Sequence, residues 1–320
     1  MRKAINGRRY GFTLIELLIA IAIIGILVAI AVPTAFVALR RAKIGAMKLE
    51  LTNLGIAMEE YRQKYGDYPP DGSDVSLVER HMRKAFPRIL NTELVVLRAA
   101  CGGTGGGNFP NGVMNRAEAI VFFLGGFSSD PQRPLTGAGG PFVVVNNNPV
   151  YNTDRQNAIF DFGSGLVLND EAEFGTHVRG EAEPPDQLPA FRLRNSTVPV
   201  AYFDSRTYQF NISATDVFYN SYENTGAPNS FGTARPYLST TVSTATNARK
   251  YQNDKTFQLV CAGLDNDFGG TSWNSPVLYV FPTGDSVPAG STRYAAGPSP
   301  AQLDNITNFS EATLEDGLSN

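Results

Sequence analysis

The feature that most constrains this chain is a run near its amino end: from Leu17 to Val32 every residue is apolar or glycine. With Phe12–Ile15 ahead of it, only Thr13 and Glu16 interrupt the apolar character. A helix over residues 12–32 would rise about 31 Å at 1.5 Å per residue, the thickness of a bilayer's hydrocarbon core. One membrane span is therefore expected. Arg2, Lys3, Arg8 and Arg9 precede it without an acid, so the positive-inside rule keeps residues 1–11 in the cytoplasm and places the carboxyl side outside. A secretory signal peptide has the same polarity. Its apolar middle is only about 7–15 residues, however, and ends in a small-x-small cleavage site, whereas this run leads into Pro33 and a helical pattern.

Glu16 is the one ionisable residue in that stretch. A carboxylate in hydrocarbon costs roughly 2.5–3.5 kcal/mol on insertion scales, so it is either functional or close enough to the cytoplasmic headgroups to reach water.

Gly11-Phe12-Thr13-Leu14-Ile15-Glu16-Leu17, after a basic leader and before an uninterrupted apolar helix, resembles the processing site of the type IV pilin and type II secretion pseudopilin families. The resemblance covers residues 1–65. It implies that a prepilin peptidase cuts after Gly11 and methylates the new amino group of Phe12, and that Glu16 pairs with the amino terminus of a neighbouring subunit as helices bundle in a filament. A buried charge is tolerated when an opposite one is supplied. The resemblance also implies partners: other copies of the chain, other pseudopilins, a secretion or pilus assembly platform, and membrane lipid.

Beyond Pro33, where a bend or local melting is expected, Ile44, Met47, Leu51, Leu54, Met58, Tyr61 and Tyr65 repeat at alternating intervals of three and four. That spacing is an apolar stripe on one helix face, or a coiled-coil seam. The pilin-like reading lays it against a β-sheet head. Gly66-Asp67-Tyr68-Pro69-Pro70 stops the helix. Expected divisions are a leader over 1–11, a helix over 12–65 that is transmembrane to 32 and amphipathic from 33, and a β-rich periplasmic head with an insertion over 66–320.

The head is rich in Gly, Pro, Asn, Ser and Thr, which points to short strands and many turns. Expected strands are Phe142–Val145, Ile159–Phe162, Pro199–Phe203, Thr207–Ile212, Phe257–Cys261 and Val277–Phe281. Two short helices are expected: one opened by a Ser76-x-x-Glu79 capping box and running to about Phe86, and one over Arg116–Leu124. The fold class is thus α+β and pilin-like, a long amino-terminal helix on an antiparallel head.

Little in the head suggests chemistry. Gly102–Gly107 lacks the ending of a phosphate loop, and His81 and His177 belong to no metalloprotease or hydrolase motif. With 27 Lys+Arg against 30 Asp+Glu the chain lacks the basic excess of a nucleic-acid binder. Asp265-Asn266-Asp267, between a strand and glycines, reads equally as an acidic turn or as oxygen ligands for Ca²⁺. It is also similar to the loop of the major pseudopilin that holds calcium. That resemblance implies Asp265, Asp267 and Asp304 as side-chain ligands, although more residues separate the two acidic segments here than in the family. Cys101 and Cys261 lie on the exported side, where an oxidising compartment permits a disulfide, and a buried free thiol at Cys261 is equally ordinary.

The expected function is structural: a subunit of a type II secretion-type pseudopilus, cut after Gly11 and polymerised through residues 12–32. The alternatives are a surface type IV pilin for adhesion, motility or DNA uptake, and a membrane-anchored periplasmic binding protein or enzyme.

Overall fold

The computed structural model describes residues 13–100, 114–145, 148–167, 188–208, 222–224, 231–239, 250–269, 277–283, 286–288 and 300–318. The chain divides into two compact units, residues 1–43 and 44–320.

Helix α1 runs unbroken over Leu14–Tyr65. Pro33 lies inside it, so the local loss of helicity expected there does not occur. The Thr34 hydroxyl, one residue on, donates to the carbonyls of Ile30 and Ala31 at 3.1 and 2.9 Å. The helix ends at Gly66, whose φ of +86° is a conformation that glycine adopts without steric penalty and that terminates helices.

In the second unit the stripe on α1 becomes core. Met47, Leu51, Leu54, Ala57, Met58 and Tyr61 are buried there, with Ile44 and Tyr65 packed against them. The stripe therefore packs on the chain's own head and is not a coiled-coil seam. Helix α2 (Val75–Ala85) is capped by Asp74, whose carboxylate accepts from the backbone N–H groups of Ser76 and Leu77. This corrects the expected capping box: Glu79 instead pairs with Arg83 and Arg98. Helix α3 (Asn91–Ala100) was not expected from the sequence, and α4 (Glu118–Leu124) starts two residues later than expected.

Strands β1 (Phe142–Val145) and β2 (Asn148–Tyr151) form a hairpin, and β3 (Leu166–Val167) pairs with β4 (Ala190–Phe191). The organising sheet is antiparallel. It comprises β5 (Ala201–Asp204), β8 (Phe257–Cys261) in the centre and β11 (Ile306–Thr307), where β6 (Tyr222–Asn224) and β7 (Gly232–Ala234) form a separate pair, as do β9 (Val277–Tyr279) and β10 (Ser286–Pro288). Of the expected strands, Ile159–Phe162 is not a strand, and Thr207 belongs to a 3-10 turn over Ser205–Thr207. Residues 209–212 lie outside the described residues.

The sheet is covered on both faces, which explains why all five residues of β8 are buried. Side chains alternate across a strand. Phe257, Leu259, Cys261 and Tyr202 join the α1 cluster, whereas Val260, Ala201 and Phe203 join a second cluster with Phe231, Tyr237, Leu238, Tyr251 and Phe268. Gln258, on the second face, is tolerated there because its amide bonds Tyr237 N, Tyr237 O and Gln252 O.

Candidate functional site

The described part of the amino-terminal site begins at Thr13; Gly11 and Phe12 lie outside the described residues. Thr13 and Glu16 cap α1 reciprocally. The Thr13 N–H and hydroxyl donate to the Glu16 carboxylate at 2.9 and 2.8 Å, and the Glu16 N–H donates to Thr13 Oγ1 at 3.3 Å. This is a Thr-x-x-Glu capping box, which satisfies two of the donors that every helix start leaves orphaned. The signal was present in the sequence. The side chains of residues 13–43 are almost all exposed, with Leu14 at 81% and Ile26 at 63%. A helix apolar on every side and unburied by its own chain is the pattern of a segment that meets lipid or other helices. The 52-residue helix contains a window of mean hydropathy 3.0, long and apolar enough to cross a membrane.

The acidic loop follows β8. Asp304, 92% buried at the end of a short helix (Pro300–Asp304), accepts from the N–H groups of Leu264 and Asp265 at 2.7 and 3.3 Å. Asp265 Oδ1 accepts from the Asp267 N–H, and Asp267 Oδ1 from the Gly269 N–H. Gly263, at φ +73°, lets the chain pass against the Asp304 carboxylate where a Cβ would collide. Burial pushes the Asp265 carboxyl up to about 6, assisted by the charges of Asp304 and Asp267 and opposed by the Asp267 N–H. The two acidic segments expected to converge therefore do meet, through Asp304 and Asp265. Each of the three carboxylates has an oxygen committed to backbone amides, and among the described residues no three His, Cys, Asp or Glu side chains form a group that could hold a metal ion.

Of the two alternatives open for Cys261, the structure has the buried free thiol, and burial pushes its pKa up to about 12; Cys101 lies outside the described residues. A thiol held protonated in this way is a packing group.

Three buried polar clusters were not found from the sequence. Asp71, wholly buried, accepts from the hydroxyls of Ser73 and Thr207 at 2.6 Å each and from the Asp204 N–H at 3.3 Å, with Arg116 Nε 3.4 Å away. Arg206 donates to Asp204 at 2.6 Å and to the Tyr68 carbonyl at 2.6 Å. Burial outweighs that pairing and pushes the Asp204 carboxyl up to about 6. The cluster joins the segment after α1 to β5 and to the residues before α4. A second cluster forms where α1 packs on α2: Tyr61 Oη and His81 Nε2 are 2.8 Å apart, and burial holds the imidazole down at about 4, with Arg206 and Lys84 adding to the effect and Asp67 opposing it. Lastly, Arg155 donates to the carbonyls of Val121, Phe122 and Gly126 at the end of α4, where a cation complements the helix terminus. All three are structural ties.

No curated protein and no solved structure matches the chain. Residues 6–32 match the family model described as prokaryotic N-terminal methylation motif. That segment holds the basic leader's Arg8 and Arg9, Gly11, Phe12, the Thr13–Glu16 cap and the apolar run. The chain thus carries the methylation motif and leader of a type IV pilin-like protein, ahead of an α+β head.

Proposed function

We propose that the chain is a structural subunit of a type II secretion-type pseudopilus. The observation that carries this reading is the exposed, all-round apolar helix directly after a methylation-type leader. Its precursor would sit in the inner membrane as a single span with the leader in the cytoplasm and the head in the periplasm. After cleavage behind Gly11, copies would associate through residues 12–32, alongside other pseudopilins and an assembly platform. Glu16 then has two partners in succession: Thr13 within the monomer, and the methylated amino terminus of Phe12 from a neighbouring copy in the filament. The head supplies surface and no catalysis. A surface type IV pilin shares the same leader and helix, and the tests below address what the two have in common.

Replacing Gly11 with Leu is expected to leave the leader attached, read as a mass larger by residues 1–11, because a bulky side chain obstructs the extended segment a peptidase requires. Normal processing of G11L removes the reading. Replacing Glu16 with Ala is expected to permit cleavage and to reduce filament yield at least about tenfold, the effect of roughly 1.4 kcal/mol per contact. Unimpaired filaments from E16A would show that the charge pair plays no part in assembly.

A further inference from the structure

The apolar character of α1 does not end at Val32. Between Leu17 and Leu39 the only residue with a polar side chain is Thr34, and its hydroxyl is satisfied inside the helix by Ile30 and Ala31. Such back-bonding leaves no unsatisfied hydroxyl to face hydrocarbon. Phe36, Val37 and Leu39 are 68%, 54% and 54% exposed, comparable with Ile26 and Leu27 at 63% and 61%. Ending the embedded segment at Val32 would leave all three in water. Immediately after them come Arg40, Arg41 and Lys43, all exposed, and no acid occurs between Glu16 and Glu50. From Glu16 to Arg40 the helix rises about 36 Å, more than the roughly 30 Å of hydrocarbon and less than the roughly 40–45 Å that includes both headgroup layers.

We infer that the embedded segment of the unassembled subunit is Leu17–Leu39, and that Arg40, Arg41 and Lys43 form a cationic collar that binds the phosphates of anionic phospholipid. This rests on the chain being a membrane-anchored subunit. Glu16 occupies one headgroup layer and the collar the other, so no charge lies in hydrocarbon before assembly. Guanidinium groups fork onto phosphate oxygens, and basic side chains beside a span gain from an anionic surface.

The test uses the full chain reconstituted into phosphatidylcholine vesicles with or without phosphatidylglycerol. With Trp273→Phe removing the native tryptophan, F36W is expected to be quenched by acyl-chain-brominated lipid at least about threefold more than L49W, because position 36 lies within the roughly 30 Å core and position 49 beyond it. Spin-labelled phosphatidylglycerol is expected to be preferred over spin-labelled phosphatidylcholine by several-fold, and the triple variant R40Q/R41Q/K43Q to lose at least about half of that preference. Equal quenching at positions 36 and 49, or an unchanged lipid preference in the triple variant, overturns the proposal. If the triple variant keeps its lipid preference and loses cross-linking between copies, the collar's partner is a second copy. A chain that fails to float with the vesicles breaks the membrane-anchored reading itself.

Discussion

The two ends of α1 are one continuous helix that disposes of its apolar side chains in opposite ways. Over residues 14–39 they are on every side and exposed, whereas from Met47 to Tyr61 most keep to one stripe, with Leu51 and Leu54 fully buried and only Leu49 and Ile56 exposed off it. Helix geometry is common to both, so the difference lies in periodicity. A run with no polar face has no orientation that a single sheet could cover, and it requires a surrounding apolar medium. A stripe repeating every three and four residues needs only one surface. The head provides that surface in Tyr202, Leu259, Cys261 and Ile306, which lie in the same cluster.

The largest expected effect separates the two ends directly. Leu51→Ala should lower the unfolding free energy of the detergent-solubilised chain by about 3 kcal/mol, the usual cost of truncating a buried leucine. Leu27→Ala should change it by less than about 0.5 kcal/mol. Chemical denaturation followed by near-ultraviolet circular dichroism measures both, and equal effects would mean that the exposed end contributes to the same folding unit.

A second prediction concerns the pH response of the packed end. His81 is neutral in the folded state, with its pKa near 4 instead of the usual 6.5, so the native protein binds fewer protons there than the unfolded chain. Its contribution is complete above pH 6.5 and is lost as pH falls toward 4. Asp204 and Asp265, both raised to about 6, act in the opposite direction, and their contribution is lost as pH rises through 6. His81→Gln retains a group able to bond Tyr61 Oη and removes only the first effect. Between pH 6.5 and 4.5 the variant should therefore gain about 2 kcal/mol relative to the parent. Parallel stability curves for the two proteins over that range would show that His81 is not neutral in the fold.

The smallest expected effect tests the acidic loop after β8. Lys48 of α1 donates to the Thr307 carbonyl at 2.6 Å, close to the turn that Asp304 holds. Asp304→Asn replaces a charged acceptor of two amides with a neutral one and should cost about 1 kcal/mol. Adding calcium is expected to raise the melting temperature of the parent, and a chelator to reverse the rise, if Asp265, Asp267 and Asp304 hold a cation, because a bound cation stabilises by mass action. An unchanged melting temperature would show that the segment is an acidic turn held by its backbone amides.

Much of this was legible in the sequence because the signals are local. The apolar run, the basic flanks, the stripe and the glycine that ends α1 each depend on residues within a few turns of one another, and helix periodicity converts spacing into faces. The same is true of Phe142–Val145 and Phe257–Cys261, recognised as strands from their composition. Misreadings arose where a residue had two local options. Ser76 offered a capping box but Asp74 took the cap, and Ile159–Phe162 has strand composition yet makes no ladder.

By itself the sequence determined that one end of the chain needs a membrane or a bundle, that a leader precedes it, and that a striped helix needs one apolar surface to cover it. Only the tertiary structure decided which sheet covers the stripe, that Asp304 is brought to Leu264 and Asp265 as a backbone acceptor, that Cys261 is a buried free thiol, and that Asp71 pairs with groups 133 and 136 residues away. The physical reason is range. Helix and strand periodicities are properties of neighbours, whereas a buried polar group takes whatever donor the folded chain brings within about 3 Å, and nothing in its local sequence names that donor.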